Sequence, residues 1–327
     1  MKVCVFGVGA IGGMIGYGLA KTGCELSGIA RGATLDALRE RGLRFTEGEG
    51  VGSVPIRASE DPMELGTQDL VVLAVKAPAL SEAADRIAPL LGPGTIVLPA
   101  MNGVPWWFFQ GFGGELQGFS LRSVDPQGSI AASIPASDVI GCVVHCGAFC
   151  PEPGLVKAIP LRRLILGEPS GAATERLDAL CGILRTAGFD ASPTERIQSE
   201  IWYKLWGNMT MNPLSALTGA TMDRILDDPL VARFCLNIMA EAKRIGARIG
   251  CPIEQSGEDR MAISHKLGAF KTSMLQDVEA GRHIELDALV ASVQEIGALL
   301  DEATPNIDIL LGLARLQART LGLYRME

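Results

Sequence analysis

Near the start of the chain, Gly7-Val8-Gly9-Ala10-Ile11-Gly12 separates an apolar run at residues 3–6 from a helical segment that runs to about Lys21. This G-x-G-x-x-G spacing constrains the fold more than any other feature. Gly7 permits a tight turn, Gly9 lets the backbone approach a pyrophosphate, and Gly12 lets the helix pack close on the strand. The helix N-terminus adds free N–H groups and partial positive charge. A second strand at residues 25–30 completes a β-α-β unit of the right length. The alternative is a glycine-rich turn without a ligand; the strand–turn–helix context favours a bound dinucleotide.

The end of the second strand selects the cofactor. An NAD-binding site usually places Asp or Glu there for the ribose hydroxyls. This chain instead reads Ile29-Ala30-Arg31-Gly32. A guanidinium in that place can bind a 2′-phosphate bidentately, so NADP(H) is expected over NAD(H). The other reading of Arg31 is a solvated loop arginine. A continuous apolar strand at residues 70–75 ends in Lys76-Ala77-Pro78, which brings Lys76 to the carboxyl edge of a parallel sheet as a further phosphate contact. The next strand, residues 95–98, leads into Asn102-Gly103 at the same edge. Asn102 is placed to touch nicotinamide, ribose or substrate, although an Asn-Gly pair also suits an ordinary turn.

The second half has almost no strand signal. Helices are expected near residues 195–217, 223–249, 256–281, 284–301 and 306–321, after a boundary at Ser192-Pro193-Thr194-Glu195. The first of these helices is apolar almost throughout, yet Lys204, Asn208 and Asn212 recur along it every fourth residue. Residues four apart share one helix face, so an ammonium and two amides form a line down a buried helix. Burying an unpartnered amide costs about 1–3 kcal/mol and a bare ammonium far more. Either neighbouring loops or a small polar ligand must answer that line. In the second case Lys204, its pKa lowered by an apolar wall, would serve as a proton donor.

Composition narrows the classes. The 327 residues suffice for two domains, and 48% hydrophobic against 20% charged residues describes a globular protein. A net charge of −8 argues against nucleic-acid and anionic-membrane partners. No apolar run reaches the ~20 residues that span a bilayer, and the N-terminus lacks the basic region of a signal peptide, so a cytoplasmic location is expected. Eight scattered cysteines read as reduced thiols. The cluster Cys142, His145, Cys146 and Cys150 lies in a strand-like stretch without a second paired set, and no metal site is expected there. Residues 105–118 hold two Trp and three Phe among glycines and suggest either a mobile aromatic lid or an oligomer contact.

Taken together, the chain resembles the ketopantoate reductase family over nearly its whole length. The resemblance rests on the opening glycine motif, Arg31, Lys76, Asn102-Gly103, the W-x-K-L-x-x-N-x-x-x-N-P-L pattern from Trp202 to Leu214, the run from Thr272 to Asp277, and Glu285-Leu286-Asp287. It implies NADPH-dependent reduction of 2-dehydropantoate to pantoate, a step towards pantothenate and coenzyme A. It further implies Lys204 as general acid, Glu285 as an essential carboxylate, and Asn208, Asn212 and Ser273 as substrate-holding residues. The expected fold is an N-terminal Rossmann-type α/β domain binding NADP(H) over residues 1–193, then an all-α substrate and catalytic domain over 194–327. Partners are a small keto acid and, as one assembly open to the chain, a second copy in a homodimer. Met222 stands where some members carry a substrate-binding asparagine, and the aromatic segment at 106–112 is richer than the family pattern. A related reductase of another keto acid is therefore the alternative, followed by an NADP(H)-binding regulatory protein without catalysis.

Overall fold

The computed structural model describes residues 1–47 and 50–324. The chain forms two compact units, one of residues 1–101 and 127–197, the other of residues 102–126 and 198–327. The change at 197/198 lies close to the boundary expected after 193, but the expected contiguous division misses the excursion at 102–126, which belongs with the second unit.

In the first unit, strands β1 (Lys2–Phe6), β2 (Glu25–Ile29), β5 (Arg57–Ser59), β6 (Leu70–Leu73) and β7 (Ile96–Pro99) make a parallel sheet in the order β5-β2-β1-β6-β7. Val3 pairs with Leu26 on one side and Leu70 on the other, which puts β1 at the centre. This is the doubly wound order, and the strand sequence reverses direction between β1 and β6, where such sheets bind ligands at their carboxyl ends. Helices α1 (Ala10–Lys21), α2 (Gly32–Arg41) and α3 (Leu80–Arg86) lie in the connections. All of β6 is buried, as a strand covered on both faces must be.

A second sheet runs β10-β9-β3-β4, built from β3 (Leu43–Glu47), β4 (Gly50–Val54), β9 (Leu155–Gly167) and β10 (Asp190–Pro193). Strand β8 (Gly141–Glu152) pairs antiparallel with β9. Strand β9 runs unbroken over its 13 residues, and β8 pairs with it on both sides of a register shift between Cys146 and Ala148. Strands β3 and β4 pair antiparallel, Leu43 with Val54 through Glu47 with Gly50. Short α4 (Ser129–Ser133) and α5 (Glu175–Thr186) complete the unit.

Helix α1 packs against both sheets, and its composition explains how. A Cβ on Gly12 would sit 2.5 Å from the Gly7 carbonyl oxygen and 2.8 Å from Val5 of β1; one on Gly13 would sit 2.7 Å from Val156 of β9. Bare backbone at these positions lets two adjoining faces of one helix approach two sheets. Tyr17 then stacks on Phe45 of β3 with ring centroids 4.9 Å apart. At the end of β9, the buried Glu168 accepts from Thr174, the N-cap of α5, and from Arg176. Burial pulls this carboxyl upward, but hydrogen bonds from Arg176 and Thr174 and the guanidinium charge outweigh it, so its pKa lies below the ordinary carboxylate value.

The second unit contains α6 (Ile197–Thr218), α7 (Met222–Asp227), α8 (Pro229–Arg248), α9 (Gly257–His265), α10 (Ser273–Glu279), α11 (Ser292–Leu299) and α12 (Pro305–Thr320). Two helices expected from periodicity are each divided. Asp228 caps α8 through two backbone N–H groups and Pro229 begins it, so the 223–249 helix breaks there. Gly268, at φ +62, lies between α9 and α10 and interrupts the helix expected at 256–281. Trp202 and Trp206 of α6 donate their indole N–H groups to the carbonyls of Ala242 and Met239 on α8.

Residues 105–118 correct the expectation of a lid or oligomer contact. Trp106, Trp107, Phe108 and Phe109 are all at most 4% exposed. Phe108 meets Phe109 edge to face and lies 6.2 Å from Trp202. The Glu295 carboxylate accepts the backbone N–H groups of Arg122 and Ser123. These four aromatics are core of the second unit. Among the described residues no helix is long and apolar enough to cross a membrane.

One buried carboxylate anchors the last helix. Glu241 of α8, 3% exposed, accepts from the backbone N–H groups of Asn306 and Ile307, each at 3.0 Å, in the first turn of α12. It replaces a side-chain cap, which Thr304 does not supply, and its charge meets the positive end of the helix dipole. Glu241→Ala is expected to lose about 1–3 kcal/mol in urea unfolding through orphaned amides, and Glu241→Gln less, since it keeps one acceptor. Gly12→Ala is expected to cost about 1–3 kcal/mol by overpacking backbone against backbone, seen as a lower unfolding midpoint.

Candidate active site

The glycine turn occupies the carboxyl end of β1. Gly7, at φ +96, turns the chain, and its N–H and that of Val8 donate to the Ile29 carbonyl of β2 at 3.1 and 3.4 Å. Gly9 is the N-cap of α1, and a Cβ built there would have nothing within 4 Å. The helix has neither a side-chain cap nor an acidic residue in its first turn, where Ala10 and Ile11 are half-buried. Open space beside an uncapped helix start, with no carboxylate to oppose an anion, fits a dinucleotide pyrophosphate. The three glycines thus divide their work as their spacing requires: Gly7 turns, Gly9 leaves room, Gly12 packs.

Arg31 follows β2 and is the N-cap residue of α2 in extended conformation. Its guanidinium is 55% exposed and ion-pairs with the Glu82 carboxylate of α3, which also lies 3.6 Å from Arg86. The sequence reading missed this partner; only the i, i+4 pair Glu82–Arg86 hinted that Glu82 had a structural task. Lys76 is exposed just beyond β6, at the start of the turn leading to α3. Gly7–Gly12 and Lys76 therefore follow adjacent strands, on the two sides of the point where the sheet's winding reverses.

In the second unit, α6 carries Lys204, Asn208 and Asn212 along one face, as its helical geometry requires. Lys204 is half-buried rather than enclosed, and its Nζ donates to the Asn102 Oδ1 at 2.8 Å. Asn208 is half-buried and Asn212 5% exposed, and neither side chain makes a hydrogen bond to another described residue. Neighbouring loops thus answer the lysine end of the polar line and leave the two amides to another partner. Pro213 lies inside this helix and removes one N–H from its ladder directly after Asn212.

Ser273 is the exposed first residue of α10, whose cap is Thr272. Glu285 is half-buried and lies two residues before a π-helical turn, Asp287–Ala291, which periodicity did not reveal. Met222, in place of the family's asparagine, is buried at the start of α7. The structure thus joins Asn102 directly to Lys204, and holds Asn208, Asn212, Ser273 and Glu285 in the same unit. Gly7, Val8, Gly9, Ala10, Ile11, Gly12, Arg31 and Lys76 lie in the other.

With this geometry described, comparison with known proteins is informative. The family model "Ketopantoate reductase PanE/ApbA" matches residues 3–171, and "Ketopantoate reductase PanE/ApbA C terminal" matches residues 196–318. A 2-dehydropantoate 2-reductase from Mesorhizobium japonicum is 46% identical over 325 residues, 99% of this chain and 100% of that protein. A crystal structure of a provisionally assigned ketopantoate reductase from Ralstonia solanacearum MolK2 superposes with a TM-score of 0.93 at 57% identity, covering 98% of this chain and 99% of that one. A 2-dehydropantoate 2-reductase from Methylococcus capsulatus gives a TM-score of 0.83 at 27% identity, covering 98% of both chains. Matches to both family models, together spanning most of the chain, and full-length identity well above the level at which a fold alone is shared agree with the site residues. The chain belongs to the ketopantoate reductase family.

Proposed function

We propose that this protein reduces 2-dehydropantoate to pantoate with NADPH, with Lys204 as general acid. The observation that carries the reading is the polar line of α6: a half-buried ammonium oriented by Asn102, followed by two amides whose side chains make no hydrogen bond to another described residue. Bound NADPH would supply a hydride to the keto carbon. As negative charge grows on the carbonyl oxygen, the Lys204 ammonium stabilises it and delivers the proton. Asn102 accepts one Nζ–H and so restricts where the remaining donors of the ammonium point. Asn208, Asn212 and Ser273 supply amide and hydroxyl groups for the substrate's carboxylate and hydroxyl, and Glu285 an acceptor for a substrate or ribose hydroxyl. The glycine turn, Lys76 and Arg31 hold the cofactor's phosphates. In this assignment the first unit binds the nucleotide and the second holds the substrate. The same reading places the product on the route to pantothenate and coenzyme A, and the protein in the cytoplasm.

A related keto acid is the second reading. The lid that would have favoured it is core, so it now rests on Met222 alone. A catalytically silent regulatory protein is opposed by the retention of both Lys204 and Glu285.

NADPH oxidation with a panel of 2-keto acids tests the assignment. Fastest kcat/KM on 2-dehydropantoate is expected; a clear preference for another keto acid would transfer the reading to that substrate. Lys204→Ala is expected to lose about 10²–10⁴-fold in kcat, and unchanged turnover would remove the lysine from the chemistry. Arg31→Ala is expected to raise the KM for NADPH about 10–100-fold, the worth of charge-assisted hydrogen bonds to a phosphate, with little change for NADH. Equal use of NADPH and NADH by the unmodified protein would refute the cofactor assignment.

A further inference from the structure

Residues Asp287–Ala291 wind as a π-helix, the one such turn among the described residues. These turns are rare and recur at functional sites. This one begins two residues after Glu285, and contacts hold it from two directions.

One set comes from the chain's last described residues. Ile284, directly before Glu285, donates its backbone N–H to the Leu323 carbonyl at 3.2 Å. The Tyr324 hydroxyl donates to Asp287 at 2.5 Å. Arg315 and Arg319 of α12 lie 5.7 and 5.6 Å from the centre of the Tyr324 ring, and Arg315 is also 4.0 Å from the Asp287 carboxylate. Glu285 is thus bracketed by two attachments to residues 323 and 324. Burial first, and then the hydrogen bond and charge of Asp287, push the Tyr324 phenol up to about 12, so it stays a donor throughout the neutral range.

The other set comes from the loop after β7. The Ala288 carbonyl accepts from the Val104 N–H at 2.8 Å and from the Ser292 hydroxyl at 2.9 Å. Gly103 has φ +90, and a Cβ there would lie 2.5 Å from that same carbonyl oxygen. Asn102, the neighbour of Gly103, holds the Lys204 ammonium. The π turn is therefore continuous with the segment bearing Glu285 on one side and is the seat of the loop that orients Lys204 on the other.

We propose that Tyr324, acting through Asp287, is a positioning residue for Glu285: it fixes the π turn, and the π turn sets Glu285 and the Asn102 loop in register with each other. The inference rests on the reductase reading above. It gives the C-terminal end of the chain a part in the reaction without contact to substrate.

Steady-state kinetics of the full-length protein with 2-dehydropantoate and NADPH, with thermal unfolding and NADPH binding measured alongside, tests it. Tyr324→Phe keeps the ring between the two arginines and removes only the hydroxyl. It is expected to lower kcat about tenfold while Tm moves by no more than about 2 °C and NADPH affinity stays unchanged. Asp287→Asn, which keeps an acceptor oxygen, is expected to retain most of the activity that Asp287→Ala loses. In a Glu285→Gln background, Tyr324→Phe is expected to cost less than about twofold more, because the two residues act as one unit. Wild-type kcat in Tyr324→Phe, an equally large loss in the Glu285→Gln background, or a loss that follows Tm or NADPH affinity would each overturn the inference. Absence of turnover by the unmodified protein with any keto acid would sink the reductase reading, and this inference with it.

Discussion

A long helix buried on nearly every side cannot carry amines and amides along one face without an answer to each. Helix α6 is such a helix, and the bond from Lys204 Nζ to Asn102 Oδ1 is the answer at one end of its polar line. A half-buried ammonium needs a partner on its buried side, so this contact constrains more than the two side chains. It fixes where the loop after β7 returns to the second unit. The buried aromatics that follow, from Trp106 to Phe109, then keep that loop in place through apolar contact with α6 itself. Site and core are built from the same excursion of chain.

The nucleotide end of the molecule works by omission. Missing Cβ atoms on α1 let one helix approach two sheets, and the missing side chain at Gly9 leaves an uncapped helix start open to an anion. Charge is then added sparingly. Arg31 is the residue suited to a 2′-phosphate, yet it is already paired with Glu82. Both groups are well exposed, so the pair contributes little to stability. Its consequence is instead geometric, since a guanidinium tethered by one carboxylate samples fewer orientations than a free one.

Three carboxylates in this protein act as fasteners between elements. Glu241 caps α12 from α8, Glu295 takes two backbone N–H groups of the loop at 122–123, and Glu168 joins the end of β9 to the start of α5. In each case the acid comes from an element remote in sequence from the amides or hydroxyls that it satisfies, or from beyond a turn. Such bonds gain strength in a low-dielectric interior and set the angle at which elements meet.

Much of the architecture was legible from short windows of sequence. Glycine spacing, apolar runs of strand length and the four-residue recurrence in α6 each depend on bonds between near neighbours, and they located the β-α-β unit, the strand ends that precede Arg31 and Lys76, and the line from Lys204 to Asn212. Where local signals also permitted something else, they misled. Periodicity ran through Asp228 and Gly268, where a cap and a left-handed glycine end helices, and aromatic density suggested a lid where the chain builds core. The sequence alone therefore determined the β-α-β unit, most of the helical second half and the polar line along α6. Only the tertiary structure decided that residues 102–126 join the helical unit, that Arg31 meets Glu82, and that Tyr324 clamps the π turn beside Glu285. Those pairings join residues tens to hundreds of positions apart. Their selection depends on desolvation and packing across the whole fold, which no local pattern encodes.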